Sequence, residues 1–296
     1  YSSAASDVYK RQHDDHEEFD ASTYDDTKPS TALGEVLPTA THIAPPDDNL
    51  TLNPGGPLQS LIAIGNGMLA GFSGKRFCIS VPFLPHAWPV DFRITVEADI
   101  VALAATNNGV VVLTEDTPYF ITGTDPASST ALQLDFKQAC INKHSVVDMG
   151  DYVLYASPEG LAAVQGTQGN IASKGLISTE QWNDVNGSFR SATYKAFRFE
   201  GTYVAMNGNG TGWVYDPKAD TAALYTLNSL GSIKGGMEDP KSGDLYFIVG
   251  NKVRKYRGGT TNRVTTFKSK KFVLPQPGSM SWVSVHANSY GTSDTT

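Results

Sequence analysis

A glycine-opened hairpin returns along this chain at a nearly fixed interval, and that spacing limits the fold more than any other feature. The unit is clearest at 108–126, NGVVVLTEDTPYFITGTDP. Val110, Val111, Val112 and Leu113 form an apolar run, turn formers follow, and Tyr119, Phe120 and Ile121 form the returning run. β-Branched and aromatic residues bounded by Gly, Asp, Thr and Pro read as strand, turn, strand. Equivalent units open at Gly67, Gly109, Gly150, Gly201 and Gly243, at intervals of 42, 41, 51 and 42 residues. Strand-rich repeats of about 40–50 residues are the length of β-propeller blades. One small sheet cannot bury both of its faces alone, so such units stack. The expected fold is therefore all-β: a β-propeller-like array of roughly 42-residue hairpin repeats, incomplete at both ends, with one short inserted helix.

The helix accounts for the longer interval. In 174–188, KGLISTEQWNDVNGS, Ser178 can cap and Gln181 stands three positions on, a capping-box pattern. Thr179 to Val185 would form about two turns, ended by Asn186-Gly187. The predicted blades span 58–264. Residues 13–57 read as an acidic, then Pro-rich linker lying along a surface. Residues 265–296 read as the propeller edge leading into a further β domain.

The first residues have a different origin. Residues 2–12, SSAASDVYKRQ, back-translate codon for codon into a common transposase sequencing adapter. Residues 1–12 are read as a translated adapter scar and set aside from fold reasoning. On that reading the sequence is an internal fragment of a longer protein.

Composition narrows the functional classes. A net charge of −7 argues against whole-surface attraction to nucleic acid or to an anionic membrane. No apolar run approaches the roughly 18 residues that a membrane helix needs. The two cysteines, Cys78 and Cys140, read as buried free thiols rather than a disulfide framework.

Each motif with a chemical reading has a simpler structural one. His13, Asp14, Asp15, His16, Glu17 and Glu18 resemble metal ligands but sit in a polar tail with nothing to fix them. Gly71 to Lys75 lacks the first glycine of a phosphate loop, where Leu69 stands, and Arg76 follows the lysine. Glu115 and Asp116 are adjacent in a tight turn and should both face water. His144, Ser145 and Asp148 are near neighbours entering a strand, not a triad assembled from separated positions. Asp216 to Asp220 lacks the alternating oxygen ligands of a calcium loop. Trp88, in the rigid segment PFLPHAWP (82–89), should pack on a core edge. The expected site list is thus empty of catalytic, cofactor-binding and metal-ligating residues. One possible basic contact surface remains: Lys252, Arg254, Lys255, Arg257, Lys268, Lys270 and Lys271, in a stretch without acidic residues between Asp244 and Asp294. Strand alternation would split these charges between two faces.

Several stretches resemble a family of tailed-phage virion proteins, with links to the β-propeller tail proteins of short-tailed phages. They are LGEVLP (33–38), GNGMLAGFSG (65–74), PFLPHAWP (82–89), ITGTDPASS (121–129), QACINKHSVVDMGDYVLYASPEGL (138–161) and GLISTEQW (175–182). The resemblance covers most of 33–290 and contains no catalytic motif. It implies a non-catalytic tail or tail-nozzle component of the virion, assembled as a ring with other tail or neck proteins around the path of genomic DNA. It implies no small-molecule substrate and no cofactor. Two other readings compete. A carbohydrate-active propeller, glycosidase or lyase, would need paired carboxylates on the propeller axis. A propeller interaction module would commonly carry the G-H…W-D signature, which is absent.

Overall fold

The computed structural model describes residues 42–107, 109–122, 126–184, 189, 194–218, 223–227 and 231–259. The adapter-like residues 1–12, the acidic segment, the predicted edge at 265–296 and Val185 to Gly187 lie outside the described residues. By internal contacts the chain divides after Gly258, and every described strand belongs to the unit Tyr1–Gly258.

The described strands form five antiparallel sheets, each a meander in chain order. Sheet one holds β1 (Gln59–Ile64), β2 (Met68–Ser73), β3 (Arg76–Ile79) and β4 (Arg93–Thr95). Sheet two holds β5 (Ile100–Thr106), β6 (Gly109–Thr114), β7 (Tyr119–Thr122) and β8 (Thr130–Gln133). Sheet three holds β9 (Val147–Asp148), β10 (Val153–Ala156), β11 (Leu161–Gln165) and β12 (Gln168–Ile171). Sheet four holds β13 (Lys195–Phe199), β14 (Thr202–Met206), β15 (Gly212–Asp216) and β16 (Ala223–Leu227). Sheet five holds β17 (Ile233–Glu238), β18 (Leu245–Val249) and β19 (Lys252–Lys255). The first strands β1, β5, β9, β13 and β17 lie side by side in that order. Meander sheets arrayed on their first strands are propeller blades.

Four apolar cores separate the five sheets, and they explain the uninterrupted apolar runs. Val110 and Val112 of β6 face sheet one, packing with Phe72, Phe77 and Ile79. Val111 and Leu113 face the other way, against Val153, Tyr155 and Val164 of sheet three. Leu154 and Ala156 then meet Tyr203, Trp213 and Tyr215. Val204 and Met206 meet Ile233, Leu245 and Phe247. A strand buried on both faces reads as continuous rather than alternating. Each fully buried Val or Leu contributes about 1.5–3 kcal/mol.

The outer face of sheet one is closed by the chain before it. Ser73 Oγ donates to Gly56 O at 2.6 Å, and Trp88 N donates to Ile43 O at 2.8 Å. Beneath this cover Cys78 and Ala87 are fully buried and Trp88 is nearly so. The Pro-rich stretch 42–57 therefore packs as part of the unit, and Trp88 sits where its aromatic surface predicts.

The inserted helix α1 spans Thr179–Asn183, with both hydrogen bonds of the capping box formed between Ser178 and Gln181. It is one turn and a half, shorter than its sequence pattern suggests. Its function is to seat Trp182, whose Nε1 donates to Ser157 O at 2.9 Å and whose ring meets Trp213 edge-on at 5.9 Å. β4 pairs with β3 and closes the first sheet.

All five repeat glycines lie where the first strand of a sheet turns into the second, with φ from 65° to 159°. They are not equivalent. A Cβ on Gly109 would stand 2.3 Å from the Ile121 carbonyl oxygen, whereas one on Gly243 (φ 70°) would meet nothing within 4 Å. Gly243→Ala should cost about 1–2 kcal/mol, from backbone strain alone. Gly109→Ala should cost about 3 kcal/mol or more, because strand pairing itself must shift. Urea unfolding of the two variants checks the order.

Candidate functional site

The residues that tempt a catalytic reading are held in a structural joint between sheets three and four. Asn142 caps a 3-10 turn at Lys143–Ser145, its Oδ1 accepting from His144 N at 2.9 Å. Its Nδ2 donates to Tyr194 O at 2.9 Å, on the chain entering β13. Ser145 Oγ donates to Asn142 O at 2.6 Å and accepts from Ala156 N at 2.9 Å. Tyr203 donates its hydroxyl to Ser145 O at 2.8 Å, and the Tyr194 hydroxyl lies 3.2 Å from that of Tyr203. Burial pushes both tyrosine hydroxyls well above their usual range. The side chains of Asn142, Ser145, Tyr194 and Tyr203 each meet a backbone or hydroxyl partner, as buried polar atoms require.

The three triad candidates do not converge. Ser145 is fully buried with its proton engaged by a carbonyl. Asp148 Oδ1 accepts from Gly150 N at 2.6 Å and so closes the turn out of β9. His144 is exposed, and its pKa lies below 6.5 through partial desolvation and then the charges of Lys143 and Lys195. Among the described residues no carboxylate orients it, which a general base of this type needs.

The other motifs have equally local partners. Glu115 and Asp116 are exposed at the β6–β7 turn, Asp116 pairing with Lys137 at 3.5 Å. Lys75 donates to Glu97 O at 2.9 Å, tying the β2–β3 turn to the chain just after β4. Asp216 Oδ1 accepts from Lys218 N at 2.9 Å, a turn contact; Asp220 lies outside the described residues. Among the described residues no three His, Cys, Asp or Glu side chains gather as metal ligands. Likewise, no described helix is long and apolar enough to cross a membrane. Cys78 and Cys140 are buried free thiols, pushed up by burial to about 11 and about 12.

Of the basic surface expected from sequence, Lys252, Arg254, Lys255 and Arg257 are placed; Lys268, Lys270 and Lys271 lie outside the described residues. Register puts Lys252 and Arg254 on one face of β19 and Lys255 on the other. Lys255 pairs with Asp244 at 2.5 Å, and Arg257 pairs with Glu200 at 3.3 Å while stacking over Phe199 and Tyr256. Lys252 and Arg254 are exposed and have no ion pair among the described residues.

A different basic group emerges from the fold. Lys195 and Lys234 are the first and second residues of β13 and β17, and Lys143 opens the 3-10 turn that precedes β9. Lys195 Nζ donates to the Lys234 carbonyl, and the turn bearing Lys143 packs on β13. Counted back from the opening glycines Gly150, Gly201 and Gly243, they stand seven, six and nine residues earlier, so no fixed repeat position marks them in the sequence.

Two open clefts lie between blades. One, of about 690 Å³, has Asn66, Thr106, Asn107 and Asp148 along its rim above Met68 and Phe77. The other, of about 600 Å³, lies between sheets three and four against Tyr152, Tyr215, Gln165 and Asn170. Neither brings together an acid, a base and a nucleophile.

No protein-family model matches the chain, and no curated protein matches it. Among solved structures it is similar to the β-propeller domain of Cps50 (Swd1) from Myceliophteria thermophila, at 10% identity and a TM-score of 0.44, over 70% of this chain and 72% of that one. It is also similar to BBS1N, solved in complex with ARL6DN, at 12% identity and a TM-score of 0.47, over 69% of this chain and 64% of that one. A third is the N-terminal domain of Nup159, at 8% identity and a TM-score of 0.39, over 64% of this chain and 52% of that one. The assignment of blades rests on the strand order and the four shared cores.

Two outcomes are expected at this site. An NMR titration of His144 should give a midpoint below 6.5, and Lys195→Gln should raise it by removing a like charge. Because the folded chain takes up this proton less readily, its contribution to stability falls as the pH drops through 6.5. Neither thiol should react with a disulfide reagent at pH 8 in the native chain, and both should react in urea.

Proposed function

We propose that this chain is a non-catalytic structural component of a bacteriophage virion, a tail or tail-nozzle propeller. Its partners are other copies of itself and other tail or neck proteins, and genomic DNA passes without sequence-specific binding. One observation carries the reading: the described stretches that resemble the family coincide with the packing joints of the fold. Residues 138–161 supply the Asn142–Ser145 joint, together with β9 and β10. Residues 175–182 supply the capped helix and Trp182. Residues 82–89 supply Trp88 in the seal of sheet one. Family-like words that supply packing joints fit selection for a stable assembly.

The carbohydrate-active alternative needs two carboxylates about 5–10 Å apart facing a sugar. The described innermost strands carry Asp148 and Glu238, on strands separated by β13. Asp148 is already engaged by Gly150 N. That arrangement favours the structural reading.

The test is assembly. The full chain, purified alone and co-expressed with the products of flanking genes, is followed by light scattering and negative-stain microscopy. The proposal expects ring-shaped oligomers or a stable complex with tail proteins. A chain that stays monomeric in both preparations, or that turns over a glycan substrate, would overturn it.

A further inference from the structure

We propose that Lys143, Lys195 and Lys234 form a site for a phosphate-bearing polyanion, of the chemistry of a nucleic-acid backbone, at the end of the array where the innermost strands begin. Choosing nucleic acid among polyanions rests on the proposed virion role; the preference for anions rests on the residues alone.

The three lysines come from three successive sheets and are brought together by the fold. Asn142 ties the turn bearing Lys143 to the chain just before Lys195, at 2.9 Å, and Lys195 reaches the backbone of Lys234. Lys143 and Lys234 are exposed and Lys195 is half-buried. Among the described residues their charges have no carboxylate partner. The described ion pairs, Asp116–Lys137, Asp244–Lys255 and Glu200–Arg257, all lie elsewhere. His144 sits among them, and the charged groups that act on it are the two lysines Lys143 and Lys195. A local excess of positive charge stands out on a chain of net charge −7.

The form of the site selects the ligand class. None of the three lysines lines either of the two clefts between blades. Lysine presents a point charge on a flexible stem, without the planar fork that reads bases or grips one phosphate in two places. Three such charges spread over one turn and two strands suit a ligand with repeated charges along its length. Binding should be independent of sequence and sensitive to salt.

The test uses the full chain and a fluorescein-labelled duplex of about 20 base pairs of mixed sequence, followed by anisotropy from about 50 to 200 mM salt. Three phosphate contacts give a log–log salt slope of about −2.7, or a loss of about 40-fold in affinity over that range. Lys143→Gln/Lys195→Gln/Lys234→Gln should abolish that slope, and arginine at all three positions should restore it. Lys252→Gln/Arg254→Gln should leave binding unchanged. A parallel arm offers poly-glutamate of matched charge, which should compete weakly against phosphate. The inference is overturned if the native chain does not bind, if the glutamine variant binds like it, or if only Lys252→Gln/Arg254→Gln loses binding. A chain that forms rings without binding DNA would sink this inference and leave the structural reading standing. A monomer that binds DNA through these lysines would do the reverse.

Discussion

Burial of both faces of each inner sheet is the constraint on which the rest of this structure depends. A four-stranded meander has two apolar faces and cannot satisfy them alone. In sheet two, alternate residues of one run, Val110 to Leu113, serve two different cores. Sheets three and four repeat the arrangement through Leu154 against Val153, and Val204 against Tyr203. Remove one sheet and the faces of two neighbours meet water. Polar groups then obey the packing: Asn142, Ser145, Tyr194 and Tyr203 are bonded to one another because the cores have carried them out of water.

Much of this is legible in the sequence because glycine and hydrophobic runs report local geometry. The five glycines mark the same turn in each sheet, and the 51-residue gap marks the helix that seats Trp182. The capping pair Ser178 and Gln181 can be read directly, since both hydrogen bonds lie within one turn of chain. Less visible are strands whose pattern is weak. β12 has the sequence QGNI and reads as a loop, yet it pairs along Ala162 to Gln165 of β11. β4 is another, because nothing local says which neighbour a three-residue strand will choose. Tertiary pairing decides such cases, not propensity.

The site shows the same division. Exclusions such as the broken phosphate loop and the crowded triad need only spacing. The basic surface needs register: the run after Asp244 is contiguous in sequence, but β19 splits it between faces and two of its charges meet carboxylates. Conversely, Lys143, Lys195 and Lys234 are separated by 52 and 39 positions and are brought together only where the turn before β9 meets β13 and β13 meets β17. Charge patches on a propeller are properties of its axis, and one-dimensional runs are a poor guide to them.

The central claim is that the blades form one cooperative stack held by shared cores. Native-state hydrogen exchange on the second strands β6, β10 and β14 tests it most directly. The account predicts that their slowest amides share one opening free energy, equal to that of global unfolding. Distinct opening energies for the three strands would mean that each sheet unfolds alone, and would contradict it.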